Sequence, residues 1–196
     1  MTFIETIPEA EATGAVGEMY EVDRQVFSEL PNFTEAFSLR PEVYAAWRHL
    51  NTTIKANMDL RRYELATVAA ARRLRSSYCT LAHGSVLVDK FLEPDAVRAL
   101  VDDFRTADLE PADLAVMELA DKVAHDATSV TQGDVDQLRD LGLTDPEIFD
   151  VVVAAAARCF FSKTLDALGA EPDAKYSQLE PELRNTLTVG RPIAQT

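Results

Sequence analysis

Glu64-Leu-Ala-Thr-Val-Ala-Ala-Ala-Arg-Arg-Leu-Arg-Ser76-Ser-Tyr78-Cys79-Thr-Leu-Ala-His83 contains five alanines and neither glycine nor proline. Alanine, leucine and arginine lose little side-chain freedom in a helix, so the run up to Leu74 reads as helical. Asp59 stands before it as an N-cap and predicts a helix from Leu60 to about Leu74. Ser76 or Ser77 then caps a second helix that runs to about Phe91. Two helices joined by a short turn are therefore the nucleus of the expected fold.

The same signals extend outward. Pro41 suits a first helical position and predicts a helix through Trp47 to about Ala56. Residues 1–33 read as a lead-in with one short helix, roughly Ala15 to Phe27, ended by Leu30-Pro31-Asn32. Pro94 opens a helix over Asp95 to Phe104, and Pro111 opens one to about Ala127. Thr131 to Leu141 follows and stops at Gly142. Thr144 with Glu147 three residues later forms a capping box for a helix that ends at Gly169. Residues 174–196 read as an irregular tail. No segment of useful length alternates apolar and polar residues as a strand would. The expectation is one all-α domain over 1–196, with about six to eight helices. Its two buried helices are Leu60 to Leu74 and Ile148 to Leu168. The second is apolar almost all round, with Val151 to Ala157 unbroken, so it is expected to be buried on every side, in part by another subunit.

The formal net charge of −14 excludes a phosphate-neutralising nucleic-acid surface and docking on anionic lipid. The start MTFIETIPEA lacks the basic and apolar regions of a secretory signal. Ile148 to Phe161 is too short to span a bilayer and is broken by Asp150 and Arg158. Two cysteines in such a chain imply reduced thiols in a cytoplasmic setting. No glycine-rich phosphate loop, no nucleophile elbow and no metal-ligand spacing occur, so no cofactor or metal is expected.

Chemistry concentrates around Cys79. In the first turn of a helix, free amides and the helix dipole favour a thiolate. His83 lies one turn further on the same face, Ser76 at its edge, and Arg72, Arg73 and Arg75 precede it. A thiol, an imidazole and the carboxylate of Glu64 on the preceding helix are the parts of a proton relay. The plainer alternative is a buried cysteine beside an incidental histidine. Cys159 reads as core, His49 as surface or core and His125 as a solvated face.

The stretch resembles the signature of the alkylhydroperoxidase D-like (AhpD-like) family, also called the carboxymuconolactone decarboxylase family. Its peroxidase members carry Glu, eleven residues, Cys, two residues, Cys, three residues, His. Glu64, Ser76, Cys79 and His83 occupy those four places with the spacing intact. Leu141-Gly-Leu-Thr-Asp-Pro-Glu-Ile and Asp166-Ala-Leu-Gly-Ala-Glu-Pro-Asp173 are similar to the family's C-terminal half, so the likeness covers roughly residues 40–173. It implies an AhpD-like helical fold, catalysis by Cys79, His83 and Glu64, and a trimer or hexamer. Ser76 replaces the first cysteine, and Tyr78 stands where the best-known peroxidases carry a second histidine. A dithiol cycle is therefore not expected, although a hydroxyl at 76 can still donate to the Cys79 sulfur. Three functions stay open: a one-cysteine peroxidase reducing a hydroperoxide with an outside thiol as reductant; an acid/base decarboxylase acting on a small carboxylated lactone; and a non-catalytic helical binding protein.

Overall fold

In the computed structural model, which describes residues 2–195, Asp59 accepts a hydrogen bond from the Arg62 amide at 3.0 Å, and the central helix starts there. Ten α-helices are present among the described residues: α1 Gly14–Phe27, α2 Asn32–Ala36, α3 Pro41–Asn57, α4 Leu60–Arg73, α5 Ser77–Lys90, α6 Pro94–Asp103, α7 Pro111–Asp126, α8 Gln132–Asp140, α9 Asp145–Leu168 and α10 Pro181–Leu187. Three short 3-10 turns join them, and no strand occurs among the described residues. The all-helical expectation holds, but ten helices exceed the expected six to eight. The surplus comes from the short elements. α2 is five residues long, too short for periodicity to show. α10 lies inside the stretch expected to be irregular and buries Leu183 and Leu187.

α4 is the hub. Tyr63 to Ala71 are all buried, and the helix packs against α5, α7 and α9. Its alanines leave room for that close approach. Leu74, Arg75 and Ser76 turn the chain, with Arg75 in the left-handed region at φ 57°. α5 then runs back along α4. This antiparallel pairing of α4 and α5 brings Glu64 and His83 face to face. α9 begins with the capping box of Thr144 and Glu147 and ends at Gly169 with φ 79°. It is not buried all round, as its composition suggested: Phe149 is 64% and Phe160 45% exposed. One stripe of the helix faces outward in a single copy.

Two apolar cores result. The larger one joins α4 to α10, with Leu65, Phe104, Met117 and Leu138 fully enclosed. The smaller one gathers the lead-in and α3 against α4, α5 and α9 through Tyr20, Trp47, Tyr78 and Phe161. The chain end closes the start of α5: the Gly190 amide donates to Ser77 Oγ at 2.7 Å across 113 residues. A Cβ on residue 190 would overlap the Arg75 carbonyl oxygen, so only glycine fits that approach. Among the described residues, no helix is long and apolar enough to cross a membrane.

Candidate active site

The smaller core is not filled. Between α3, α4, α5 and α9 lies a cavity of about 550 Å³, and Cys79, His83, Glu64 and Tyr78 all line it. A larger open hollow of about 830 Å³ runs along the N-terminal segment from Thr2 to Glu11, but no cysteine or histidine lines it. The chemistry belongs to the first of these.

Cys79 is in the first turn of α5, as its spacing predicted, and is 2% exposed. Its sulfur takes a hydrogen bond from Ser162 Oγ at 3.1 Å and another from Arg158 Nη1 at 3.5 Å. Both donors come from α9. His83 makes no hydrogen bond to the sulfur; it shares the cavity instead. His83 Nδ1 is 2.5 Å from Glu64 Oε2, and the carboxylate also meets Lys55 Nζ at 3.4 Å. Burial, then the Arg158 charge, pull the His83 imidazole below its ordinary range against the pull of Glu64. Burial pushes the Glu64 carboxyl up, but His83 and Lys55 outweigh it and hold the group below the usual carboxylate range. A neutral imidazole beside an ionised carboxylate must donate from Nδ1, which leaves Nε2 as an acceptor.

The remaining sequence candidates fall elsewhere. Ser76 is buried and caps α5 with its backbone, but its hydroxyl makes no hydrogen bond to Cys79. Tyr78 gives its ring to the cavity; its hydroxyl bonds Asp173 and accepts from the Phe33 amide at 3.2 Å, and burial and Asp173 hold the phenol well above its ordinary range. Arg72, Arg73 and Arg75, expected to add positive potential, bond instead to the Val101 and Asp102 carbonyls, to Asp121 and to the Val189 carbonyl. The positive charge at the sulfur comes from Arg158, which is 3% exposed. Burial opposes its charge, while Cys79 and Tyr63 sustain it. Cys159 packs at the edge of the larger core, and His49 and His125 are exposed. Among the described residues no cluster of three His, Cys, Asp or Glu side chains is set to hold a metal.

Arg158 and Ser162 are the residues that sequence reasoning missed. The one available signal was a lone arginine inside an otherwise apolar helix, where a charge is costly unless it is bonded. Its partner lies 79 residues away, beyond any local pattern.

No protein-family model matches the sequence, and no curated protein matches it significantly. Solved structures do. The fold is similar to that of an alkylhydroperoxidase AhpD core, an uncharacterized peroxidase-related protein from Ralstonia eutropha JMP134. That likeness has a TM-score of 0.80 at 19% identity and covers 97% of this chain and 98% of the other. A peroxidase-related protein from Silicibacter sp. TM1040 matches with TM-score 0.80 and 19% identity over 90% of this chain and 94% of that one. The debrominase Bmp8, in a cysteine-to-alanine variant complexed with 2,3,4-tribromopyrrole, matches with TM-score 0.73 and 16% identity over 95% and 96%. The chain thus has the AhpD-like fold.

Proposed function

We propose that this AhpD-like chain is a thiol-based, peroxidase-related oxidoreductase in which Cys79 is the nucleophile. The observation that carries this is a sulfur held by a buried guanidinium and a hydroxyl, in one cavity with a Glu64-oriented imidazole whose Nε2 is free. Arg158 sets a positive charge and Ser162 a hydroxyl donor on the sulfur, and an imidazole oriented by a carboxylate suits proton transfer. With a hydroperoxide, the Cys79 sulfur attacks the distal oxygen. An S–O bond forms, the O–O bond breaks, and the alkoxide leaves. The thiol proton passes to His83 Nε2 and from there to the alkoxide. An outside thiol then condenses with the sulfenic acid, releasing water and forming a mixed disulfide, and a second outside thiol frees Cys79 as the two leave joined in a disulfide. Two donors on the sulfur favour this reading over decarboxylation, which has no need of them, and over a relic site.

A second reading changes only the electrophile. The likeness to a debrominase and the ring-lined cavity favour a halogenated aromatic: the S–halogen bond forms as the C–halogen bond breaks, His83 supplies a proton to the ring carbon, and two outside thiols then release halide and restore the Cys79 thiol as they join in a disulfide.

Mass spectrometry of Cys79 after one equivalent of hydroperoxide separates these. Sulfenic acid is expected to form faster than on free cysteine, roughly tenfold or more slower in Arg158→Met through the loss of one charge-assisted bond, and roughly a hundredfold slower in His83→Ala through the loss of the proton acceptor. A wild-type rate no greater than that of free cysteine removes the peroxidase reading. Loss of bromide from 2,3,4-tribromopyrrole with no peroxide reaction would put the second reading in its place.

A further inference from the structure

Resting on the reading of Cys79 as nucleophile, we infer that the substrate is a small aromatic anion whose ring enters the cavity while its negative charge stays at the mouth, between Arg48 and Lys55. The cavity changes character with depth. At its closed end sit Cys79, Arg158 and Glu64, all nearly inaccessible. Its middle is made of rings. Trp47 stacks on Phe161 with centroids 4.7 Å apart, and Phe33 meets Phe161 and Tyr78 edge-on at 5.6 and 5.7 Å. Flat walls of this kind take a flat guest by stacking and edge contacts. At the open end the side chains of Arg48 and Lys55 are 38% and 44% exposed.

The mouth offers donors. Arg48 gives Nη1 to the buried Asp23 at 2.8 Å, which fixes the guanidinium and leaves Nη2 without a partner among the described residues. Asp23 is itself locked by the hydroxyls of Thr34 at 2.6 Å and Tyr44 at 2.5 Å. Lys55 bonds Glu64 at 3.4 Å and lies over the Tyr63 ring, its ammonium 5.2 Å from the centroid. Asn51 spends its oxygen on the Tyr63 hydroxyl at 2.7 Å, so what remains is its amide donor. Three cations, Arg48, Lys55 and Arg158, thus line the cavity against one carboxylate, Glu64. The whole chain carries 33 acidic and 19 basic residues, so the lining reverses the sign of the rest of the molecule. A cation or a neutral guest leaves these donors idle. A carboxylate or other oxyanion uses them, and a cleft whose lining is cationic on balance also draws such a ligand in.

The test measures binding without thiol chemistry, so its outcome is independent of whether Cys79 reacts. Calorimetry on Cys79→Ser would compare 2-naphthoate, its neutral amide 2-naphthamide, and decanoate, which has the charge without the ring. The expected result is naphthoate at least tenfold tighter than either. Lys55→Met and Arg48→Gln, each added to Cys79→Ser, should bring naphthoate towards the amide while the amide's own affinity stays put. A misfolded variant would lose both ligands alike, so this ratio reads charge recognition and not folding. Equal binding of acid and amide, no binding of naphthoate, or variants that still bind the amide as tightly and leave the acid-to-amide ratio unchanged would overturn the inference. Tight naphthoate binding by a protein whose Cys79 proves inert would sink the nucleophile reading and leave this one standing.

Discussion

Glu64 and His83 form the pair through which acidity reaches the fold. Both are held below their ordinary ranges, so in each case the unfolded chain binds the proton first as pH falls. Their stabilisation is complete at neutral pH. It declines below the ordinary imidazole range, near pH ~6.5, and further below the ordinary carboxylate range. Asp166 and Asp173, raised chiefly by burial, work in the opposite sense, so the informative quantity is a difference between proteins. Wild type minus His83→Gln, compared by urea denaturation, should lose stability between pH 7 and pH 5 at up to about 1.4 kcal/mol per pH unit for one proton. A flat difference over that interval would mean that His83 is not kept neutral by the fold. Glu64, Cys79 and His83 were legible from spacing because a helical hairpin turns sequence distance into spatial register. Arg158 and Ser162 were not, since α9 reaches α5 only through the packing of the whole chain.

At the scale of elements, the helix starts were legible wherever a proline or a capping residue marked them. Asp59, Thr144, Pro41, Pro94 and Pro111 each open a helix as expected. The pieces that sequence left blank, α2 and α10, are held by tertiary contacts. α10 buries Leu187 against Gly84 of α5, where a Cβ would meet the leucine side chain. Gly190 belongs to the same clasp and gives it a test. Gly190→Ala must push the chain end off Arg75 and break the bond to Ser77. The expected cost is about 1–3 kcal/mol, as for other overpacked sites, with faster amide exchange confined to the first turn of α5. Unchanged exchange there would show that the clasp does not hold the cysteine's helix.

For the molecule as a whole, composition was right about helix and misleading about α9. An alanine-rich sequence with scattered aromatics reads as uniformly apolar, while the fold assigns Ser162 and Arg158 to one side and Phe149 and Phe160 to the other. We propose that the outward stripe meets a second copy of the chain, which would give the homo-oligomer expected from the sequence. Light scattering should then show a mass well above 21.6 kDa at micromolar concentration, and Phe149→Glu with Phe160→Glu should return it to the monomer value. A wild-type monomer would contradict this. The clasp at Gly190 also sets an order of events during synthesis. The amide that steadies the start of the cysteine's helix is made 113 residues after Ser77. At about 5–20 residues per second this is roughly 6–23 s of translation. Throughout that interval the nascent chain carries its thiol on a helix whose final brace has yet to be made. An oxidant pulse would therefore reach Cys79 on the ribosome under different protection from that in the finished protein.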